Sequence, residues 1–153
     1  MEKILGIIEN VQTKPPGTWT QKSCDLIFTD HRLLCVKVGG SSLIATMLGS
    51  GISGPSGAIA FSMDNQNLQE HNREKMKDFD LNQLLTTDED NYMIWYSNIE
   101  SGSFKTGFFS TLGMLAPLEI KTIDSDKYFY NIYNNQKDYA KALIEATMPM
   151  VKT

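Results

Sequence analysis

Cysteine and histidine are scarce, with two of each in 153 residues. Cys24 and Cys35 cannot build a disulfide framework, and neither histidine stands near a cysteine, so no zinc-type spacing exists. Basic charge is not in excess either. Fourteen Lys and Arg against eighteen Asp and Glu leave a net charge of −4, which speaks against nucleic acid, whose phosphates demand cations. Long apolar runs are also missing, so nothing reads as a bilayer span or a leader peptide. With 41% hydrophobic and 21% charged residues the chain reads as one soluble globular domain, expected in a reducing cytoplasm.

The charge is unevenly spread. Residues 1–40 carry five basic and four acidic groups, residues 41–91 three against eight, and residues 92–153 six of each. The acidity belongs to the middle, which marks residues 39–91 as a separate element: a Gly/Ser-rich stretch followed by an acidic helical one.

On either side of it the pattern is β-type. KILGIIENVQT reads as a strand and KPPGTW as a loop. SCDLIFTDHRLLCVKV reads as a hairpin turning at Asp30-His31. With that turn, Leu26 and Phe28 share a face with Leu33 and Cys35, while Ile27, Leu34 and Val36 share the other. Two apolar faces predict a hairpin covered on both sides or rolled into a barrel. After the middle block, YMIWYSNIESGSFKT reads as two strands broken near Ser97-Asn98. LEIKTIDSDKYFYNIY reads as a hairpin turning at Asp124-Ser125-Asp126. NNQKDYAKALIEATMP predicts a helix over about 135–148, capped by Asn135, ended by Pro149, with Tyr139, Ala142, Leu143 and Ala146 as its apolar stripe.

Two motifs in the middle block point to chemistry that their surroundings oppose. GSGISG (Gly49–Gly54), with Glu70 twenty-one residues after its first glycine, has the dinucleotide-site pattern. That pattern has meaning only inside a parallel βαβ unit, and the flanking elements are hairpin-connected. Asp78, Asp80, Asn82 and Glu89 have calcium-loop spacing, but Gln83 stands where the turn needs glycine, and a strand follows. The simpler reading is a short helix LNQLL capped by Asp80. No nucleophile–base pair is evident; His31 falls in a turn, and Cys24 and Cys35 read as small buried hydrophobes on adjacent strands. The expectation is therefore no catalytic residues, no metal and no cofactor.

The hairpin LIFTDHRLLCV with its T-D-x-R-L turn (Thr29, Asp30, Arg32, Leu33) is followed by the strand break IWYSNIES. The late hairpin LEIKTIDSDKYFYNI and the closing helix come after it. Together they resemble the pleckstrin-homology-like superfamily, in its bacterial and GRAM-like branch, over residues 1–38 and 92–148. The resemblance implies an α+β fold: a strongly bent antiparallel sheet or partly open barrel, closed at one end by the C-terminal helix. The helical insertion, about 41–86, departs from the compact members. It also implies a binding protein rather than an enzyme, since members of this superfamily bind lipid headgroups, peptides or proteins.

Two uncharged stretches are candidate contact surfaces. Residues 43–61 hold ten apolar residues, the other nine being Gly, Ser, Thr or Pro. Leu43, Ile44, Met47, Leu48, Ile52, Ile59 and Phe61 are the side chains expected to meet a protein partner, a second copy of the chain, or a membrane surface. TGFFSTLGMLAP (106–117) adds Phe108 and Phe109. The alternative is phospholipid-headgroup binding through the first inter-strand loop, with Lys14, Trp19 and Lys22 as contacts.

Overall fold

The structure is a computed structural model that describes residues 2–17, 20–37, 80–107 and 114–153. Its strands are β1 (Ile4–Lys14), β2 (Lys22–Thr29), β3 (Arg32–Lys37), β4 (Tyr92–Trp95), β5 (Ile99–Phe104), β6 (Leu115–Thr122), β7 (Lys127–Tyr133) and β8 (Val151–Lys152). A short helix α1 (Leu81–Thr86) precedes β4, and α2 (Lys137–Thr147) follows β7. The strands form one sheet in the order β4-β3-β2-β1-β7-β6-β5-β8, antiparallel throughout except for β5 with β8.

That order forces the sheet to bend. β4 and β5 are six strand spacings apart in the hydrogen-bonding direction, which in a flat sheet is roughly 29 Å. Yet only the 3-10 turn Tyr96–Asn98 joins them, and the four Cα steps from Trp95 to Ile99 reach at most about 14 Å. The sheet must therefore roll until its two sides meet at this turn. The strand break expected near Ser97-Asn98 is the corner at which the chain crosses between them.

The β2–β3 hairpin has the anticipated register, Leu26↔Cys35, Ile27↔Leu34 and Phe28↔Leu33. Side chains alternate across a strand, so its two faces enter different cores. Leu26, Phe28, Leu33 and Cys35 join the interior with Tyr130, Phe104, Leu118 and Ile132. Ile27, Leu34 and Val36 form an outer cluster with Ile7, Leu81 and Leu84. The hairpin is therefore covered on both faces, within one open and mostly antiparallel sheet. Among the described residues helix α1 covers that outer cluster, and Asp80 caps it as expected, its carboxylate accepting from the Asn82 amide at 2.9 Å.

Helix α2 packs against β1, β2 and β7. Its docking depends on Gly6. A Cβ there would lie 2.3 Å from Tyr139 Oη and 2.7 Å from Leu143 Cδ1, so a bare backbone is what lets the helix approach. Two expectations about α2 are corrected. Asn135 is not its cap, because a 3-10 turn over Asn134–Gln136 comes first and Gln136 sits at the N-cap without a side-chain capping bond. The buried face is Tyr139, Ala140, Leu143 and Ile144, with Ala142 and Ala146 exposed. The stripe is rotated because burying Ile144 removes far more apolar surface from water than burying two alanines.

The turn at Asp124-Ser125-Asp126 is present, with Ser125 at φ 70° and the Thr122 amide donating to the Asp126 carbonyl at 3.0 Å. β8 had no sequence signal. It lies along β5 with Gly102 opposite Val151, and a Cβ on Gly102 would meet Glu119 O at 2.5 Å and Val151 Cγ2 at 2.9 Å. Of the middle block, residues 38–79 lie outside the described residues, and with them GSGISG, Glu70, His71 and Asp78. Among the described residues no helix is long and apolar enough to cross a membrane.

Candidate functional site

The points where residues 38–79 leave and rejoin the described fold are both fixed. On the β3 side, the Lys37 amide donates to Asn91 Oδ1 at 2.8 Å, and its ammonium pairs with Asp88 at 2.8 Å. The Asp88 hydrogen bond also raises the pKa of the exposed Lys37, and the same bond lowers that of Asp88. Asn91 reaches back to the Leu84 carbonyl at 2.7 Å, tying α1 to the turn before β4. On the other side, Asp80 opens α1, whose Leu81 and Leu84 are buried on the outer face of the hairpin. The calcium-loop residues serve this structure: Asp80 caps, Asn82 Oδ1 accepts from Arg32, and Glu89 stands in the turn before strand β4.

The T-D-x-R-L turn is a polar joint whose flanking Thr29 and Arg32 are buried while Asp30 and His31 are exposed. Thr29 Oγ1 accepts from the His31 and Arg32 amides at 3.1 and 2.9 Å, closing the two-residue turn. Asp30 Oδ1 accepts from the Lys3 amide at 2.9 Å and contacts His31 Nδ1 at 2.6 Å. Burial opposes the Asp30 carboxylate, but the Lys3 amide and the His31 ring outweigh it and hold its pKa below the usual value.

Arg32 is 3% exposed. Its Nε and Nη2 form a fork on Glu2 at 2.9 and 2.8 Å, Nη2 also donates to Asn82, and the guanidinium lies 5.0 Å from the Trp95 ring centroid. One side chain thus ties the first residues, α1 and β4 to the hairpin. The motif signals its turn in the sequence, but not Glu2 and Trp95 as partners of its arginine. An arginine alternating with Leu34 and Val36 on an apolar strand face was the available signal.

A third feature lies where β1 parts from β7. The two pair only over Gln12–Lys14, and β1 carries a bulge between Ile8 and Val11, with Asn10 at φ 53°. Side chains satisfy the backbone there. Gln136 accepts from the Glu9 amide at 3.0 Å and donates to the Glu9 carbonyl at 2.8 Å, and Asp25 accepts from the Asn10 amide at 2.8 Å. Beside these groups is an open cleft of about 490 Å³ lined by Glu9, Asn10, Tyr133, Asn135 and Gln136. Partial burial, then the nearby Asp25, raises the pKa of Glu9.

Inside the rolled sheet, Tyr130 (1% exposed) meets the Tyr92 hydroxyl at 2.8 Å, and Thr13 Oγ1 stands 3.5 Å from the same oxygen. Burial pushes both tyrosine hydroxyls well above their ordinary pKa. The cysteines are buried on adjacent strands, as the sequence suggested.

Of the expected contact residues, Leu43, Ile44, Met47, Leu48, Ile52, Ile59, Phe61, Phe108, Phe109 and Trp19 lie outside the described residues. Within the uncharged stretch 106–117, Leu115–Pro117 belong to β6. Lys14 ends β1 in register with Phe129, and Lys22 begins β2, ion-paired with Asp90. Large apolar side chains exposed among the described residues include Met93, Trp95, Met114, Ile123, Phe129 and Tyr133. No group of three or more His, Cys, Asp or Glu suited to a metal occurs among them.

No family model matches the chain, and no curated protein does. Among solved structures it is similar to the C-terminal domain of an unknown protein from Leishmania infantum. The likeness has a TM-score of 0.51 at 14% identity and covers 97% of this chain and 85% of that one. At that identity the likeness concerns the fold alone.

Proposed function

We propose that this chain is a non-enzymatic interaction module built on a pleckstrin-homology-like scaffold. Residues 38–79 form its binding segment, and the apolar side chains from Leu43 to Phe61 contact a protein partner or a second copy. Peripheral membrane contact is the other use of the same surface. The observation that carries this reading is the anchoring of both feet of the segment. Lys37 is held by Asn91 and Asp88, and α1 is buried on the outer face of the hairpin. A rolled sheet that holds both feet can present a variable segment without taking part in the binding itself.

The reading of a PH-like scaffold is supported by the strand order, by the corner at Tyr96–Asn98 and by the helix lying across β1. Headgroup recognition through the first loop has less support, since Lys22 already pairs with Asp90 and a phosphate would have to displace that carboxylate. Light scattering on the intact chain, and on a chain with residues 41–79 replaced by a short Gly/Ser linker, tests the proposal. Vesicles with and without anionic lipid are added in a second series. Association or vesicle binding by the intact chain that disappears in the folded, shortened chain is the expected result. Equal behaviour of the two chains refutes it, and binding lost only with Lys14→Glu and Lys22→Glu favours headgroup recognition.

A further inference from the structure

The molecule already builds one guanidinium site, the one around its own Arg32. Three kinds of group surround that side chain: the carboxylate of Glu2, the amide oxygen of Asn82 and the ring of Trp95. The cleft beside the β1 bulge offers the same three kinds of group with no cation among them. Its lining is Glu9, Asn10, Tyr133, Asn135 and Gln136, so no basic side chain borders it. Gln136 is occupied with the Glu9 backbone. The Glu9 carboxylate and the carboxamides of Asn10 and Asn135 make no hydrogen bond or ion pair among the described residues. Tyr133 is exposed, and Gln12 Nε2 steadies its ring by donating to the hydroxyl at 3.2 Å. We propose that this cleft is a docking site for an arginine side chain of a partner protein. Glu9 is its ion-pair acceptor, Asn10 and Asn135 accept from the remaining N–H groups, and Tyr133 is the stacking ring.

The bulge is what assembles the acceptors. Glu9 and Asn10 stand between Ile8, opposite Leu26, and Val11, opposite Cys24, so two residues of β1 oppose Asp25 alone. An extra residue re-aims side chains that regular alternation would send to opposite faces. Asn10 reaches φ 53°, a region asparagine enters more readily than most residues. The Glu9 and Asn10 amides are held by Gln136 and Asp25, so the backbone is satisfied without either bulge side chain. Both are left to the cleft. Arginine suits this set because its guanidinium presents five donors in one plane and stacks on rings, which an ammonium does not do as well. Charge favours it too. Glu9 is partly buried near a second carboxylate, Asp25, and both raise its pKa; an entering cation offsets that penalty. A free amino acid fits less well, since no base lines the cleft to meet its carboxylate. The net charge of −4 adds longer-range attraction for a basic partner. This site uses none of residues 38–79, so it is independent of the binding segment.

The test titrates the isotope-labelled intact chain with the peptide acetyl-Gly-Arg-Gly-amide and follows the NMR spectrum. A second peptide carries citrulline, which keeps the arginine shape without its charge. The expected result is saturable shifts at Glu9, Asn10, Tyr133 and Asn135. Citrulline weakens binding by about tenfold or more, the contribution of one charge-assisted hydrogen bond. Glu9→Gln weakens it as much and Tyr133→Leu by about threefold, each with native circular dichroism. Glu145→Gln, at an exposed acid of α2, leaves it unchanged. Absence of saturable shifts, shifts centred elsewhere, equal binding of the citrulline peptide, or a Glu9→Gln chain that binds like the parent overturns the proposal. So does maltose shifting the same residues where the arginine peptide does not, which assigns the cleft to a neutral sugar. Free arginine binding more tightly than the peptide assigns it to a small molecule and overturns the docking role.

Discussion

Replacing Gly6 by alanine probes the contact that places α2 on the sheet. Gly6 is not among the glycines with positive φ, so alanine suits its backbone, and without steric conflict Gly→Ala stabilises by about 0.4–1 kcal/mol through the unfolded chain. The packing predicts the opposite sign. The new methyl would stand 2.3 Å from Tyr139 Oη and within 2.8 Å of both Leu143 methyls, more than an ångström inside ordinary contact with the hydroxyl. Leu143 can turn its methyls aside, but the tyrosine ring is buried between helix and sheet and has little room to move. Overpacking of this kind costs about 1–3 kcal/mol. Less the backbone gain, the net loss is about 1–2 kcal/mol, or roughly 2–8 °C in Tm for a chain of this size. Thermal unfolding followed by circular dichroism reads it. Tyr139→Phe removes the oxygen that the new methyl would meet, so added to Gly6→Ala it restores stability, giving a coupling of about 1 kcal/mol. A neutral or stabilising Gly6→Ala, or a loss that Tyr139→Phe does not relieve, would refute the placement of the helix.

Three further outcomes follow from the same structure. Arg32→Leu removes the fork on Glu2 and the stack on Trp95 and lowers urea stability by about 2–3 kcal/mol; Glu2→Gln keeps the shape and costs about 1. A raised carboxyl pKa means that ionised Glu9 weakens the fold at neutral pH and that the penalty fades as pH falls through the folded and then the unfolded pKa. Glu9→Gln therefore raises Tm at pH 7, and the two proteins converge below about pH 4. Removing Pro149–Thr153 takes Val151 from the core and bares the β5 edge, so about 2 kcal/mol is lost and concentration-dependent aggregates appear in gel filtration.

Much of the frame was legible in the sequence because its signals are local. Alternation around Asp30-His31 assigned Leu26, Phe28, Leu33 and Cys35 to one core and Ile27, Leu34 and Val36 to another. The turn residues at Asp124–Asp126 and the cap at Asp80 carry their own chemistry. The partnership of Arg32 with Glu2 and Trp95, and that of Gln136 with the Glu9 backbone, were not legible, because they join residues 30, 63 and 127 positions apart through single side chains. β8 is two residues long, below any periodicity. The rotated face of α2 shows the limit of pattern reading in another way: spacing identified a stripe, and the volume of Ile144 decided which stripe is buried. The candidate contact residues lie where pattern was all there was, outside the described residues.

The most direct trial of the binding-segment proposal leaves the frame untouched and changes only the surface said to act. Sedimentation velocity on the intact chain, compared with a variant carrying Leu48→Ser and Ile52→Ser, reads mass with and without vesicles. The account predicts association or vesicle binding by the unaltered chain, lost in the variant while its circular dichroism and Tm remain the same. A parent that stays monomeric and free of vesicles at every concentration, or a variant that associates equally, would contradict it.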